Sequence, residues 1–323
     1  MCADPAPPPH MLSAPSLLGT RSQLAALAGA MLLAVAGAGC SAAGAGSSGS
    51  GIAAVGAESQ YADVIAQIGG RYVHVSAVES NPNTDPHSFE ASPSVAEAVS
   101  SAELIVENGL GYDGYMEKIE AASPSSSRRV INVQKLLGLA ESTPNPHLWY
   151  KPATMPTLAR ALARDLSELQ PAHAAYFQAN ARRFDASLQP WLTALRSFGR
   201  RFPGVAVATT EPVGDYMLEA AGVEDLTPFS LQADIMNGTD PAPQDVTLEE
   251  SLLSSRRVSA FIYNQQVTDS LTQSFLAAAA KQHIPVVGVY ETMPAGYHYQ
   301  SWMLAEITAL ERAVGQGIST RRL

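Results

Sequence analysis

The chain has 323 residues and a formal net charge of −10, with 46% hydrophobic residues and two cysteines. That length suffices for two domains, and the apolar share suffices for a sizeable core. The acidic balance argues against nucleic acid as a partner and suits cationic ligands.

The first fifty-odd residues differ from the rest. Arg21 precedes an apolar run over 24–38 that is short for a membrane span. The run ends in Ala36-Gly37-Ala38-Gly39-Cys40, and a Gly/Ser/Ala stretch over 41–51 follows. This reads as an export signal over 1–40 and then a flexible tether. The small residues before Cys40 resemble a bacterial lipobox, which implies that Cys40 becomes the lipidated N-terminus. Gly37 stands where such boxes prefer a larger apolar residue, and an ordinary cleaved signal is the alternative. With cleavage at Cys40 the mature chain holds no disulfide, and no thiolate is expected as a ligand or nucleophile.

From there strand-type and helix-type runs alternate. An apolar run at 51–56 precedes a helix over 58–68 with Tyr61, Val64, Ile65 and Ile68 on one face. A β-type run at 72–78 leads into the loop Asn81-Pro82-Asn83-Thr84-Asp85-Pro86-His87-Ser88-Phe89-Glu90. Ser92 and Pro93 then read as the N-cap and first residue of a helix ending near Ser101. A strand at 103–107, a helix at 112–121 and a strand at 129–133 make four βα-type units with what precedes them. Such units predict a parallel sheet covered on both faces. A second Pro-His phrase follows, Asn145-Pro146-His147-Leu148-Trp149.

The pattern changes after Pro152. A helix over 155–169 is followed by a helical run over 171–198. That run carries Tyr176, Phe177, Phe184, Leu188, Trp191, Leu192 and Leu195 at three-to-four spacing, with Pro190 as a point of kinking. Alternation then returns, with strands at 205–209, 258–263 and 285–290 and a short run near Leu226. Helices are expected at 213–221, 244–253, 270–281 and 300–314, and a polar loop at 232–243. The expected fold is α/β, with two doubly wound parallel-sheet lobes over 52–170 and 202–323. One long rigid connecting helix, 171–201, joins them, and a metal site lies in the cleft.

Parallel sheets bind ligands beyond the carboxyl ends of their strands. The first half offers His87 and His147 there. The second offers Glu211 and Glu291, each directly after an apolar strand and each followed by a proline within three residues. Two imidazoles and two carboxylates converging between lobes make a four-ligand site for a divalent transition metal. A lone loop histidine is more often merely solvated, and a lone Glu more often a surface or capping acid. The repeated Pro-His context and the symmetric placement carry the metal reading. Asp85 is a candidate to support a histidine ring, or else caps its turn. Trp149 and Tyr150 wall off the site or are core aromatics. His298 is the only other histidine near the inferred cleft.

The phrases Asp85-Pro86-His87 with Glu90 and Pro93, Ala102-Glu103-Leu104-Ile105-Val106 with Asn108-Gly109, Asn145-Pro146-His147-Leu148-Trp149, Thr210-Glu211-Pro212 with Tyr216, and Glu291-Thr292 carry a family likeness. Across nearly all of 52–318 the sequence resembles the zinc- and manganese-binding solute-binding lipoproteins of bacterial metal ABC importers (cluster A-I type). The resemblance implies ligands from four loops, here His87, His147, Glu211 and Glu291. It implies a non-enzymatic monomer at the outer face of the cytoplasmic membrane, anchored through Cys40, that passes its ion to an ABC permease. The ion would be Zn²⁺ or Mn²⁺, with Fe²⁺ also compatible. Glu211 stands where many zinc binders have His, Glu291 stands where Asp is usual, and the His-rich loop common in zinc importers is missing, so the metal stays open. Two other readings remain: an adhesin-like surface lipoprotein with a structural metal, and a metallohydrolase with a carboxylate base. The hydrolase reading lacks a His-Glu-x-x-His, a phosphate-cradling glycine loop and a serine nucleophile elbow.

Overall fold

The computed structural model describes residues 51–323 except His87 and Ser88, so the expected signal and Cys40 lie outside the described residues. The first lobe runs β1 (Ile52–Glu58), α1 (Ser59–Gly69), β2 (Val73–Glu79), α2 (Pro93–Ser101), β3 (Leu104–Glu107), α3 (Gly114–Ala122), β4 (Arg129–Asn132) and α4 (Val133–Leu136). Its four strands are parallel in the order β2-β1-β3-β4. All four residues of β3 are buried, as a central strand covered on both faces requires. α2 starts as expected: the Ser92 side chain accepts from the Val95 N–H, and Pro93 fills the first turn, where no donor is needed. Residue 56 must be glycine, because a Cβ there would meet the Ala62 backbone nitrogen at 2.4 Å. The side-chain-free position is what lets α1 start back tightly over β1.

After α5 (Thr154–Leu169), α6 (Ala174–Ser187) and α7 (Gln189–Arg201), the second lobe repeats the plan. It contains β5 (Ala206–Thr209), α8 (Asp215–Ala220), β6 (Glu224–Asp225), α9 (Phe229–Met236), α10 (Pro243–Ser254), β7 (Ala260–Asn264), α11 (Ser270–Lys281), β8 (Val286–Val289) and α12 (Tyr299–Gln316). Its strands are parallel in the order β6-β5-β7-β8, the same topology as the first. Two α/β lobes with parallel sheets are therefore present.

Two expectations change in detail. The connector is a pair of helices, α6 and α7, meeting at Leu188. Pro190 is the cause: it offers no N–H to the Ala186 carbonyl and its ring crowds that carbonyl, so it sits instead in the first turn of a new helix. The polar loop expected from residue 232 is helical as far as Met236. Gln232 misleads because its side chain is polar yet buried, donating to Thr209 Oγ1 at 2.7 Å and Asp225 Oδ2 at 2.8 Å. Leu231 and Ile235, four apart on that helix, supply the buried apolar face.

One apolar cluster runs from Leu104 and Val106 through Leu162, Phe184 and Trp191 to Trp302 and Leu310. α6 packs on α5 and α1, and α7 packs on α12, so the connector is embedded in both halves. The described residues accordingly form one compact unit. No helix among the described residues is long and apolar enough to cross a membrane.

A buried polar junction joins the halves within this cluster. The Trp302 Nε1–H donates to Glu306 Oε1 at 2.9 Å, and the Tyr150 hydroxyl lies 3.3 Å from the same oxygen and 2.9 Å from the Tyr290 carbonyl. Burial pushes the Glu306 carboxyl up to about 8, since the charged form has no water around it. The folded chain therefore holds a proton that the unfolded chain releases at ordinary carboxylate pH. The stability this contributes is full below about pH 4.5 and is lost as pH rises through about 8. Thermal melts should drop by several degrees between about pH 5 and about pH 9, and Glu306→Gln should flatten part of that slope. An unchanged slope in the variant would locate the proton elsewhere.

Candidate metal site

In each sheet the strand order reverses between its second and third positions, β1/β3 in one and β5/β7 in the other, and a crevice opens at the carboxyl ends there. In the second lobe Glu211 lies two residues beyond β5, Asn264 is the last residue of β7, and Glu291 lies two residues beyond β8. All three reach one point because β5, β7 and β8 are neighbours. His147 arrives differently from the strand-end placement expected. α4 and a loop intervene after β4, and the segment is pinned from outside. Asn108, just past β3, donates to the Pro146 carbonyl at 2.8 Å, and Asn145 Nδ2 donates to the Pro212 carbonyl at 2.7 Å.

His147 Nε2 then lies 3.2 Å from Glu291 Oε2, a contact between side chains of the two lobes. Tyr112 donates its hydroxyl to the same oxygen at 3.0 Å. Asn264 Nδ2 donates to Glu291 Oε1 at 2.6 Å and to Glu211 Oε2 at 3.2 Å, holding the two carboxylates side by side. His147 and Glu291 are fully inaccessible and Glu211 is 2% exposed, so water cannot screen these charges.

The imidazole orientation follows from Asn145. Its nitrogen is committed to Pro212, so its Oδ1 faces His147 and accepts from the His147 N–H at 2.9 Å and from Nδ1 at 2.8 Å. Nδ1 carries the hydrogen, and Nε2 is turned toward Glu291. At 3.2 Å the Nε2 and Oε2 atoms need either a shared proton or a cation between them.

Electrostatics points the same way. Burial pushes the Glu211 carboxyl well up from its ordinary range, and the charges acting on it most, Glu291, Asp85 and Asp269, are all carboxylates that push it further. Its Oε1 is buried without a hydrogen-bond partner among the described residues. Burial and then Glu291 raise Glu79, nearby at the end of β2, to about 9. The crevice collects negative charge that only protons or a cation can neutralise.

Of the residues expected from sequence, His147, Glu211 and Glu291 come together here. His87 lies outside the described residues. The three described side chains do not by themselves form a metal-holding set of three. Asp85 lines a cavity of about 250 Å³ with Glu79 and Thr292, next to the loop that leads to His87. Trp149 is fully buried, and its ring stands edge-on to His147 at 5.4 Å and to Tyr112 at 5.1 Å. His298 is not part of the cluster; it caps α12 and its Nδ1 lies 2.7 Å from Asp63 Oδ1. Sequence reading missed Tyr112 and Asn264. The rule that found Glu211 would have flagged Asn264, since it too ends an apolar strand.

Two parallel α/β lobes enclosing a buried, acid-rich crevice define a two-lobed binding protein. The family model described as "Zinc-uptake complex component A periplasmic" matches residues 55–313, and the chain belongs to this family. The family is one of metal-binding proteins of transport, not of enzymes. The manganese-binding lipoprotein MntA of Bacillus subtilis is 29% identical over 137 residues, 41% of this chain and 44% of that protein. The zinc-binding protein TroA of Treponema pallidum is 22% identical over 235 residues, 70% of this chain and 75% of its own. The chain spans less than half the length of the first curated relatives it matches. The Mn²⁺ complex of the Pseudomonas aeruginosa solute-binding protein FpvC superposes with a TM-score of 0.68 over 82% of this chain and 99% of that one. At 19% identity that likeness is one of fold.

Proposed function

We propose that this chain is the extracytoplasmic solute-binding component of a metal ABC importer. It captures one divalent transition-metal ion, Mn²⁺ or Zn²⁺ with Fe²⁺ also compatible, and delivers it to a permease in the cytoplasmic membrane. It works as a monomer anchored through Cys40, with lobes over 52–170 and 202–323 on either side of the connector 171–201. His147, Glu211 and Glu291 are three ligands and His87 is the fourth, with Asp85 and Trp149 supporting them. The observation that carries the reading is the pairing of two buried carboxylates through one amide, beside an inward-turned imidazole, with Glu211 Oε1 left over. Four protein ligands leave no open position for a reacting water, which suits carriage and not hydrolysis.

The donor set bears on the metal. Carboxylate oxygens favour Mn²⁺ and Fe²⁺ relative to a nitrogen-rich site, yet the Irving–Williams order lets Zn²⁺ bind at least as tightly in vitro. Of the proteins named above, MntA is described as manganese-binding, TroA as zinc-binding, and FpvC is seen in complex with Mn²⁺. Elemental analysis of protein purified from its native envelope tests the proposal: about one equivalent of Mn, Fe or Zn per chain is expected. In vitro, Mn²⁺ or Zn²⁺ at about 100 times its Kd should stabilise the fold by about 2.7 kcal/mol. Metal-free native protein whose melting temperature ignores both ions would overturn the reading.

A further inference from the structure

The end of β7 carries three amide side chains in succession. Asn264 spans the two carboxylates, as described. Gln265 Nε2 donates to the Pro82 carbonyl at 2.9 Å. Gln266 uses both ends of its amide. Its Oε1 accepts from the backbone N–H of Glu291 at 2.6 Å and of Thr292 at 3.0 Å, and its Nε2 donates to the Thr84 carbonyl at 2.8 Å. Gln266 is itself steadied by its N–H, which donates to Asn264 Oδ1 at 3.0 Å.

Pro82 and Thr84 belong to the first lobe, in the loop that leads from β2 to His87. That loop is a preformed turn: Asn81 Nδ2 donates to Thr84 Oγ1 at 2.7 Å, and Asn81 Oδ1 accepts from the Asn83 N–H at 3.1 Å. Its Pro82 and Thr84 carbonyls are taken by glutamines from the other lobe. We infer that Gln265 and Gln266 are positioning residues that brace the first lobe's ligand loop against the Glu291 turn and so set how slowly a captured ion leaves. The inference rests on the function proposed above.

The residue type fits the task. The loop presents carbonyls, which need a donor, while the Glu291–Thr292 turn presents N–H groups, which need an acceptor. A side-chain amide supplies both from one planar group and carries no charge. A glutamate at 266 would add another anion beside Glu79, Asp85 and Glu291. The Asn264 contacts lie within one lobe and survive separation of the lobes. The Pro82 and Thr84 contacts cross between them and must break before the His87 loop can withdraw. Loss of such contacts is read mainly in the dissociation rate.

The test uses the full-length chain loaded with Mn²⁺, and separately with Zn²⁺, then mixed with excess EDTA in a stopped-flow instrument. Gln265→Ala and Gln266→Leu should each release the ion about tenfold faster, and the double variant faster still, with association little changed. The metal-free melting temperature of Gln265→Ala should stay within about 2 °C of the parent, because its partly exposed side chain fills no core. A purely structural role would move that temperature and leave release untouched. If Gln266→Leu does not fold, Gln265→Ala alone decides. A parent that binds ions and a Gln265→Ala variant that releases them at the parental rate overturn the brace alone. A parent that binds neither ion overturns the functional reading and this inference with it.

Discussion

Glu291→Ala should weaken Mn²⁺ or Zn²⁺ binding by about 1000-fold or more, a loss of about 4 kcal/mol, while the far-ultraviolet circular dichroism stays that of the parent. Glu291 faces His147 from the other lobe and shares Asn264 with Glu211. Its removal takes away a charged oxygen donor and leaves the Tyr112 hydroxyl and one side of the Asn264 amide facing a gap. The metal-free fold should tolerate the change, because Glu291 is the largest charge pushing on the buried Glu211 carboxyl. Removing one of two like charges in a dry crevice relieves repulsion. Affinity and stability should thus move apart, with calorimetric titration showing the loss and thermal melts of the metal-free protein showing little or none. A variant that titrates with the parental Kd would remove Glu291 from the ligand set.

Trp302→Ala is expected to cost about 3–5 kcal/mol of folding stability, the usual range for emptying a large buried aromatic site. For a chain of this size that lowers the melting temperature by roughly 10 °C. Trp302 is fully buried, packs edge-on to Tyr150 at 5.6 Å, and donates to Glu306 at 2.9 Å. The substitution opens a cavity and also strips a donor from a buried carboxyl whose Oε2 already has no partner among the described residues. Tyr150 comes from the segment just after His147 and Trp302 from the last helix, so the loss loosens both halves together. A melting temperature within about 2 °C of the parent would show that the site collapses around the missing ring.

Much of this was legible because burial in a parallel sheet writes a simple pattern. A strand covered on both faces must be apolar throughout, so the first carboxylate after it marks the carboxyl edge, and Glu211 and Glu291 were found that way. α2 was legible in its bounds because Ser92 and Pro93 are read locally, from a cap and a fixed φ. Gln232 failed that kind of reading because a buried polar side chain satisfied by Asp225 and Thr209 has the composition of a loop. His147 failed in part because its position depends on anchors from Asn108 and Pro212, 38 residues from Pro146 and 67 residues from Asn145 respectively.

The sequence by itself determined the alternation that makes two α/β halves, the turn chemistry around the two Pro-His phrases, and the acids that end apolar strands. These are properties of neighbours along the chain, set by side-chain volume, backbone freedom and solvation. Only the tertiary structure decided which of those groups meet. Strand order brings Asn264 between Glu211 and Glu291, and lobe packing turns His147 and Tyr112 onto Glu291 and sets Gln266 across to Thr84. Such contacts join residues from 27 to 182 positions apart, and no local pattern encodes a distance that only the packing of two sheets creates.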